Sequence, residues 1–147
     1  MSVVNSIFSF FQSFRASARM VDGGELNTLV NLLFSSAPSP GITALAGGGA
    51  AGAPVLQYAV NLLSTVATAA DSAVLPQALA GRCCVVDNEG AQSATIYAAT
   101  TNPSTGVADS VVDTNSLVLA ASVAVASGYA AIFYCVKDGV WKKLVSA

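Results

Sequence analysis

The chain has 147 residues, only 10% of them charged, and a formal net charge of −2. A typical soluble domain is about one quarter charged, so little keeps copies of this protein apart in solution and self-association is expected. The six basic residues form no stripe and there is no histidine. That argues against nucleic acid as a partner and removes the commonest neutral-pH general base and the commonest metal ligand.

The first segment, residues 1–20, reads as an aromatic arm. Val4, Ile7, Phe8, Phe11 and Phe14 recur at helical spacing between serine and asparagine. Such a face needs cover, either from its own domain or from a neighbouring subunit. Residues 21–54 read as a short helix followed by a Gly-rich linker or a crossing strand. Asp22 is placed to cap the helix, and Glu25 completes a capping box. Leu26, Leu29, Val30 and Leu33 mark one face, and Pro38 and Pro40 end it. Gly47-Gly48-Gly49 lacks the strand-before, helix-after context of a phosphate loop.

From residue 55 to 147 the chain reads as β. Leu56, Tyr58, Val60 and Leu62 share one parity, which places them on one strand face. Val74-Leu75 is stopped by Pro76. Arg82 to Asp87 reads as a strand, Asn88-Glu89-Gly90 as a turn, and Ser93 to Ala99 as the returning strand. Asn102 to Gly106 is an exposed loop. Leu117 to Val136 is uncharged and long enough to span a bilayer, but its bulk alternates and Ser127-Gly128 interrupts it. It is therefore read as two strands, with no membrane partner. Asp138-Gly139 is expected to be a type I′ hairpin turn joining Ile132–Lys137 to Val140–Val145. Short strands at intervals of roughly ten residues point to an all-β fold, a jelly-roll-like antiparallel β-sandwich carrying an N-terminal arm and a short helix.

Catalytic chemistry has little to stand on. The carboxylates fall mainly in predicted turns and caps, and Asp109 with Asp113 is a pair lacking an evident cleft. Asp87 and Glu89 share a turn without the convergent oxygens of a calcium loop. Cys83 and Cys84 point to opposite faces if they lie in a strand, so they cannot share a metal, although Cys135 could bridge to either. No enzyme activity, cofactor or metal is expected. Trp141 is expected to pack in the core or at a subunit contact, with Lys142 and Lys143 facing outward or guarding an edge.

Several stretches resemble a family of small virion proteins of tailed bacteriophages. They are Gly41 to Gly49, Ser64 to Ser72, Leu75-Pro76 with Ala80-Gly81, and the closing Ile132-Phe133-Tyr134-Cys135 with Gly139-Val140-Trp141. The likeness runs from Gly41 to the end and is a pattern of strands and turns. The stretch Thr100 to Asn115 departs from it, being longer and less glycine-rich. The resemblance implies a β-sandwich head protein: a capsid decoration or cement protein made in the host cytoplasm and bound to the capsid exterior. Its partners would be the major capsid protein and further copies of itself, as a dimer or trimer. The second reading is a fibre or tail-associated module that recognises the host surface. The contact residues expected are Val4, Ile7, Phe8, Phe11, Phe14 and Trp141.

Overall fold

The computed structural model describes residues 39–113 and 117–145. The aromatic arm and the capped helix expected before residue 38 lie outside the described residues. Everything described is β-strand, turn or irregular chain. The strands are β1 (Ile42–Thr43), β2 (Val60–Thr65), β3 (Ser72–Val74), β4 (Cys83–Asn88), β5 (Ala94–Tyr97), β6 (Ser110–Asp113), β7 (Leu119–Ala120), β8 (Ser122–Val125), β9 (Tyr129–Lys137) and β10 (Val140–Val145).

They form two sheets. One has seven strands in the order β1-β2-β4-β9-β10-β6-β7, and the other has three in the order β3-β5-β8. The fold is all-β, as expected, but it is not an antiparallel jelly roll. β1–β2, β2–β4, β3–β5 and β10–β6 are parallel pairs. The cause is the path of the chain. It leaves the large sheet after β2, makes β3 in the small sheet, and returns as β4 beside β2. It then crosses again to make β5 beside β3. Parallel neighbours need such long crossovers. β5 is therefore not the returning partner of β4 that the Asn88-Glu89-Gly90 turn predicts. β4 pairs instead with β2 and β9.

The Asn88 turn does more than reverse the chain. Asn88 is buried; its amide donates to Gln92 O and Val125 O (both 2.9 Å), and its Oδ1 accepts the Gly90 N–H (3.0 Å). Val125 belongs to β8, so one side chain links the two sheets. Glycine is required at position 90 by close approach, because a Cβ there would lie 2.5 Å from both Val66 N and Val66 Cβ.

The core lies between the sheets. Leu63, Cys84, Val86, Phe133, Val111 and Trp141 come from the large sheet, and Ala73, Ile96 and Val125 from the small one. Leu56, Val66 and Leu75 close it from the connections. Burial of each large side chain contributes about 1.5–3 kcal/mol.

In β2 the face shared by Val60 and Leu62 turns outward. Asn61 and Leu63 are buried, while Val60 is 38% exposed. Asn61 tolerates the interior because its amide donates to Tyr58 O (2.7 Å) and Val85 O (3.2 Å), and also contacts Cys84 Sγ (3.3 Å). A buried amide with partners loses little on leaving water.

The hairpin at Asp138-Gly139 forms, but not as type I′. That type needs positive φ at both central residues. Gly139 has φ +83°, whereas the non-glycine residue with positive φ among the described residues is Leu117. The register slips between Val140 and Trp141, leaving Val136 as an extra residue on β9. A bulge of this kind absorbs the mismatch of a turn with one left-handed residue. The apolar run Leu117 to Val136 holds β7, β8 and most of β9, so it is not a helix. No helix among the described residues is long and apolar enough to cross a membrane.

Candidate interaction face

Pairing register decides which residues share the outer face of the seven-stranded sheet. Val60 on β2 lies beside Val85 on β4, Val85 beside Ile132 on β9, and Ile132 beside Leu144 on β10. This is an unbroken aliphatic row across four strands. Ile132 and Leu144 are each 44% exposed. The adjacent row runs Cys83, Tyr134, Lys142, Val112, Leu119 from β4 to β7. On the other side lie Leu62, Asp87 and Ala130. Val136 extends the apolar surface along β9 and is exposed. On the paired positions of this face among the described residues, Asp87, Lys142 and Lys137, which lies beside Val140, carry the charge. None of the three takes part in an ion pair among the described residues. A continuous apolar face rimmed by isolated charge is the usual mark of a contact surface.

The inner face handles its charge differently. Lys143 is buried, although β10 is flanked by β9 and β6 and is no edge. This corrects the expectation of an outward or edge lysine. Its amine donates to Asp113 Oδ2 (2.9 Å) and to Ala124 O (2.7 Å). The second bond ties β10 to β8, in the opposite sheet. A cation leaves water only where partners of this kind replace it.

Trp141 is fully buried, and its indole Nε1 donates to Pro76 O (3.1 Å). It packs in the core. Val4, Ile7, Phe8, Phe11 and Phe14 lie outside the described residues.

The remaining carboxylates serve the loops. Asp109 and Asp113 do not act as a pair. Asp109 is buried and accepts from Ala78 N–H (2.7 Å) and the Asn102 amide (2.7 Å). Asn102 also donates to Ala78 O (3.0 Å), so a loop expected to be exposed is pinned through its buried first residue. Asp138 accepts from the Ser104 hydroxyl and from Ala80 N–H (2.8 Å). Those two bonds, the hydroxyl first, hold its carboxyl below the ordinary carboxylate range. Asp71 accepts from the Thr68 hydroxyl (2.5 Å), Thr68 N–H (3.0 Å), Ala67 N–H (2.8 Å) and Gly47 N–H (3.4 Å). The Thr68 hydroxyl leads the effects that hold its carboxyl low as well.

These pinned loops border an open groove of about 560 Å³ whose lining includes Val55, Gln77, Arg82, Thr100 and Thr101. Arg82 is steadied over it by a bond from Nη1 to Gln77 O (2.9 Å).

Cys83 faces outward and Cys84 inward, as a strand requires, and all three cysteines are free. Burial pushes the Cys84 and Cys135 thiols up to about 12. Neither can serve as a thiolate near neutral pH. No cluster of three or more metal-ligating side chains occurs among the described residues.

The outer face escapes sequence reading because its members are scattered. A parity argument sees Ile132 and Leu144 as alternating positions on two strands, but it cannot see that both join Val60 and Val85. The available signal was that each of these strands carries aliphatic residues on both parities.

Comparison with protein-family models, with curated proteins and with solved structures gives no match.

Proposed function

We propose that the protein is a structural virion protein: a decoration or cement protein that binds the major capsid shell from outside and stabilises it, working by surface contact and without catalysis. The observation that carries this reading is the aliphatic row Val60, Val85, Ile132, Leu144 on the outer face of the large sheet. A protein whose task is to cover seams needs a rigid apolar surface, and two packed sheets hold this one in place. Many copies on a repeating shell make individually weak contacts sufficient. The sequence resemblance to tailed-phage head proteins adds the setting.

The test is binding of the purified full chain to shells assembled from the major capsid protein of the virus that encodes it. The expected result is saturable binding at many sites per shell and a higher disruption temperature for decorated shells. Absence of binding, together with absence of the protein from purified virions, overturns the proposal.

The groove beside Gln77, Arg82 and Thr100 favours the second reading, a fibre or tail-associated module that recognises a host surface. Electron microscopy of labelled virions separates the two. Label over the whole shell fits decoration, and label at a single vertex fits the fibre reading.

A further inference from the structure

Around the groove beside Arg82, polar side chains divide into two sets. Asn102, Ser104, Asp109 and Asp138 are bonded to other parts of the chain. Gln77, Thr100 and Thr101 differ. The Gln77 amide, and the hydroxyl and peptide groups of both threonines, have no bond to another described residue. All three residues line the groove of about 560 Å³, and all three also line an adjoining groove of about 440 Å³. The uncommitted donors and acceptors of this end of the fold are therefore gathered on one concave wall, as a ligand site requires.

Arg82 is the one charged residue among those lining the two grooves. Its Nη1 donates to Gln77 O (2.9 Å), which steadies the guanidinium. Nε and Nη2 have no partner among the described residues. Those two N–H groups form the side-on fork that a planar carboxylate accepts. Asp109 and Asp138 are committed to Ala78 N–H and Ala80 N–H and line neither groove, so no carboxylate of the wall occupies the fork.

We infer that this groove takes a carboxylate-bearing sugar of the uronic acid kind, its carboxylate on Arg82 and its ring hydroxyls on Gln77, Thr100 and Thr101. The inference rests on the second reading above, recognition of a host surface, and names the ligand class of that groove. Sugar hydroxyls donate and accept at close spacing, as the threonine hydroxyls and the glutamine amide do. The C–H face of the ring has Val55 and Pro76 to lie on. A peptide added as a strand needs an open strand edge. The groove has none, because Val74 of β3 pairs with Tyr97 on one side and bridges to Val55 on the other. A phosphate monoester brings about −1.5 to −2 of charge, more than one guanidinium neutralises, whereas a carboxylate matches it. With one ion pair in an open groove, a single sugar binds with a Kd on the order of millimolar, and many copies on one particle raise the avidity.

The test is titration of the full chain, followed by amide NMR shifts, with glucuronate, galacturonate and N-acetylneuraminate. Glucose, a hexose monophosphate and an N-acetylated tripeptide with a free carboxylate serve as comparisons. At least one acidic sugar should saturate the shifts of Gln77, Thr100 and Thr101, with glucose about fivefold weaker or more. Arg82→Gln should lose about that factor, and Arg82→Lys most of it, because lysine keeps the charge without the fork. Binding should also weaken as salt is raised. Thr101→Val, on an exposed side chain, is the second variant and should weaken binding without changing the charge. Unfolding midpoints near wild type show that the variants are folded. No saturation by any acidic sugar up to about 50 mM overturns the inference. So does equal binding of glucose, tighter binding of the phosphate or the tripeptide, or binding that ignores both Arg82→Gln and Thr101→Val. Label over the whole shell with acidic-sugar binding intact overturns the fibre reading and leaves the site standing. Label at one vertex without acidic-sugar binding overturns the site and leaves the fibre reading standing.

Discussion

Neighbouring residues on β9 separate folding from contact. Phe133 is fully buried between the sheets, whereas Ile132, one residue earlier, faces outward at 44% exposure. Truncating Phe133 to alanine removes a large side chain from the core and leaves a cavity, at a cost of about 3–5 kcal/mol. Truncating Ile132 to alanine removes a half-exposed side chain and some cross-strand packing, costing about 1 kcal/mol or less. Urea unfolding measures both. With an m-value of about 1.5 kcal/mol/M, Phe133→Ala lowers the midpoint by about 2–3 M and Ile132→Ala by well under 1 M. Unchanged m-values would show that the denatured states match. A loss for Ile132→Ala as large as that for Phe133→Ala would refute the argument. It would mean that the outer face is covered within a single folded chain.

Lys143→Met removes the amine that Asp113 and Ala124 O accept from, and is expected to cost about 2–4 kcal/mol, discounted for the partial exposure of Asp113. Calorimetry should show Asp113→Leu added to Lys143→Met recovering part of that loss. The lowered Asp71 and Asp138 carboxyls contribute stability that is fully present above their ordinary value of 3.8 and is lost as pH falls through the lower folded values. Thermal midpoints across the acid range should therefore fall below that pH, and Asp71→Asn should flatten the fall while lowering the midpoint at neutral pH. A thiol reagent added to the native protein at low concentration should modify Cys83 alone, with Cys84 and Cys135 reacting only on unfolding. Fast reaction of all three in the native state would contradict the burial of the inner two.

The features legible in the sequence were local. Period-two patterning and turn residues place β4, β5, β9 and β10 close to where they occur. The opposite facing of Cys83 and Cys84 follows from the strand pleat alone. The Asp138-Gly139 reversal needs only a left-handed glycine. Choices between distant segments required the tertiary structure. Nothing near Asn88 shows that β5 will cross to the second sheet and leave β4 to β2 and β9. The inward turn of Asn61 depends on Val85 O, 24 residues away. Burial of Lys143 depends on Asp113, 30 residues away, and on Ala124 in the opposite sheet. The candidate face is the extreme case, a row whose members come from β2, β4, β9 and β10 and meet only once the parallel crossovers have set the strand order. Parity assigns a residue to one of two sides of its own strand. Which side becomes core, and which neighbours complete the other side, depends on pairings whose free energy is realised only when the whole sheet has formed.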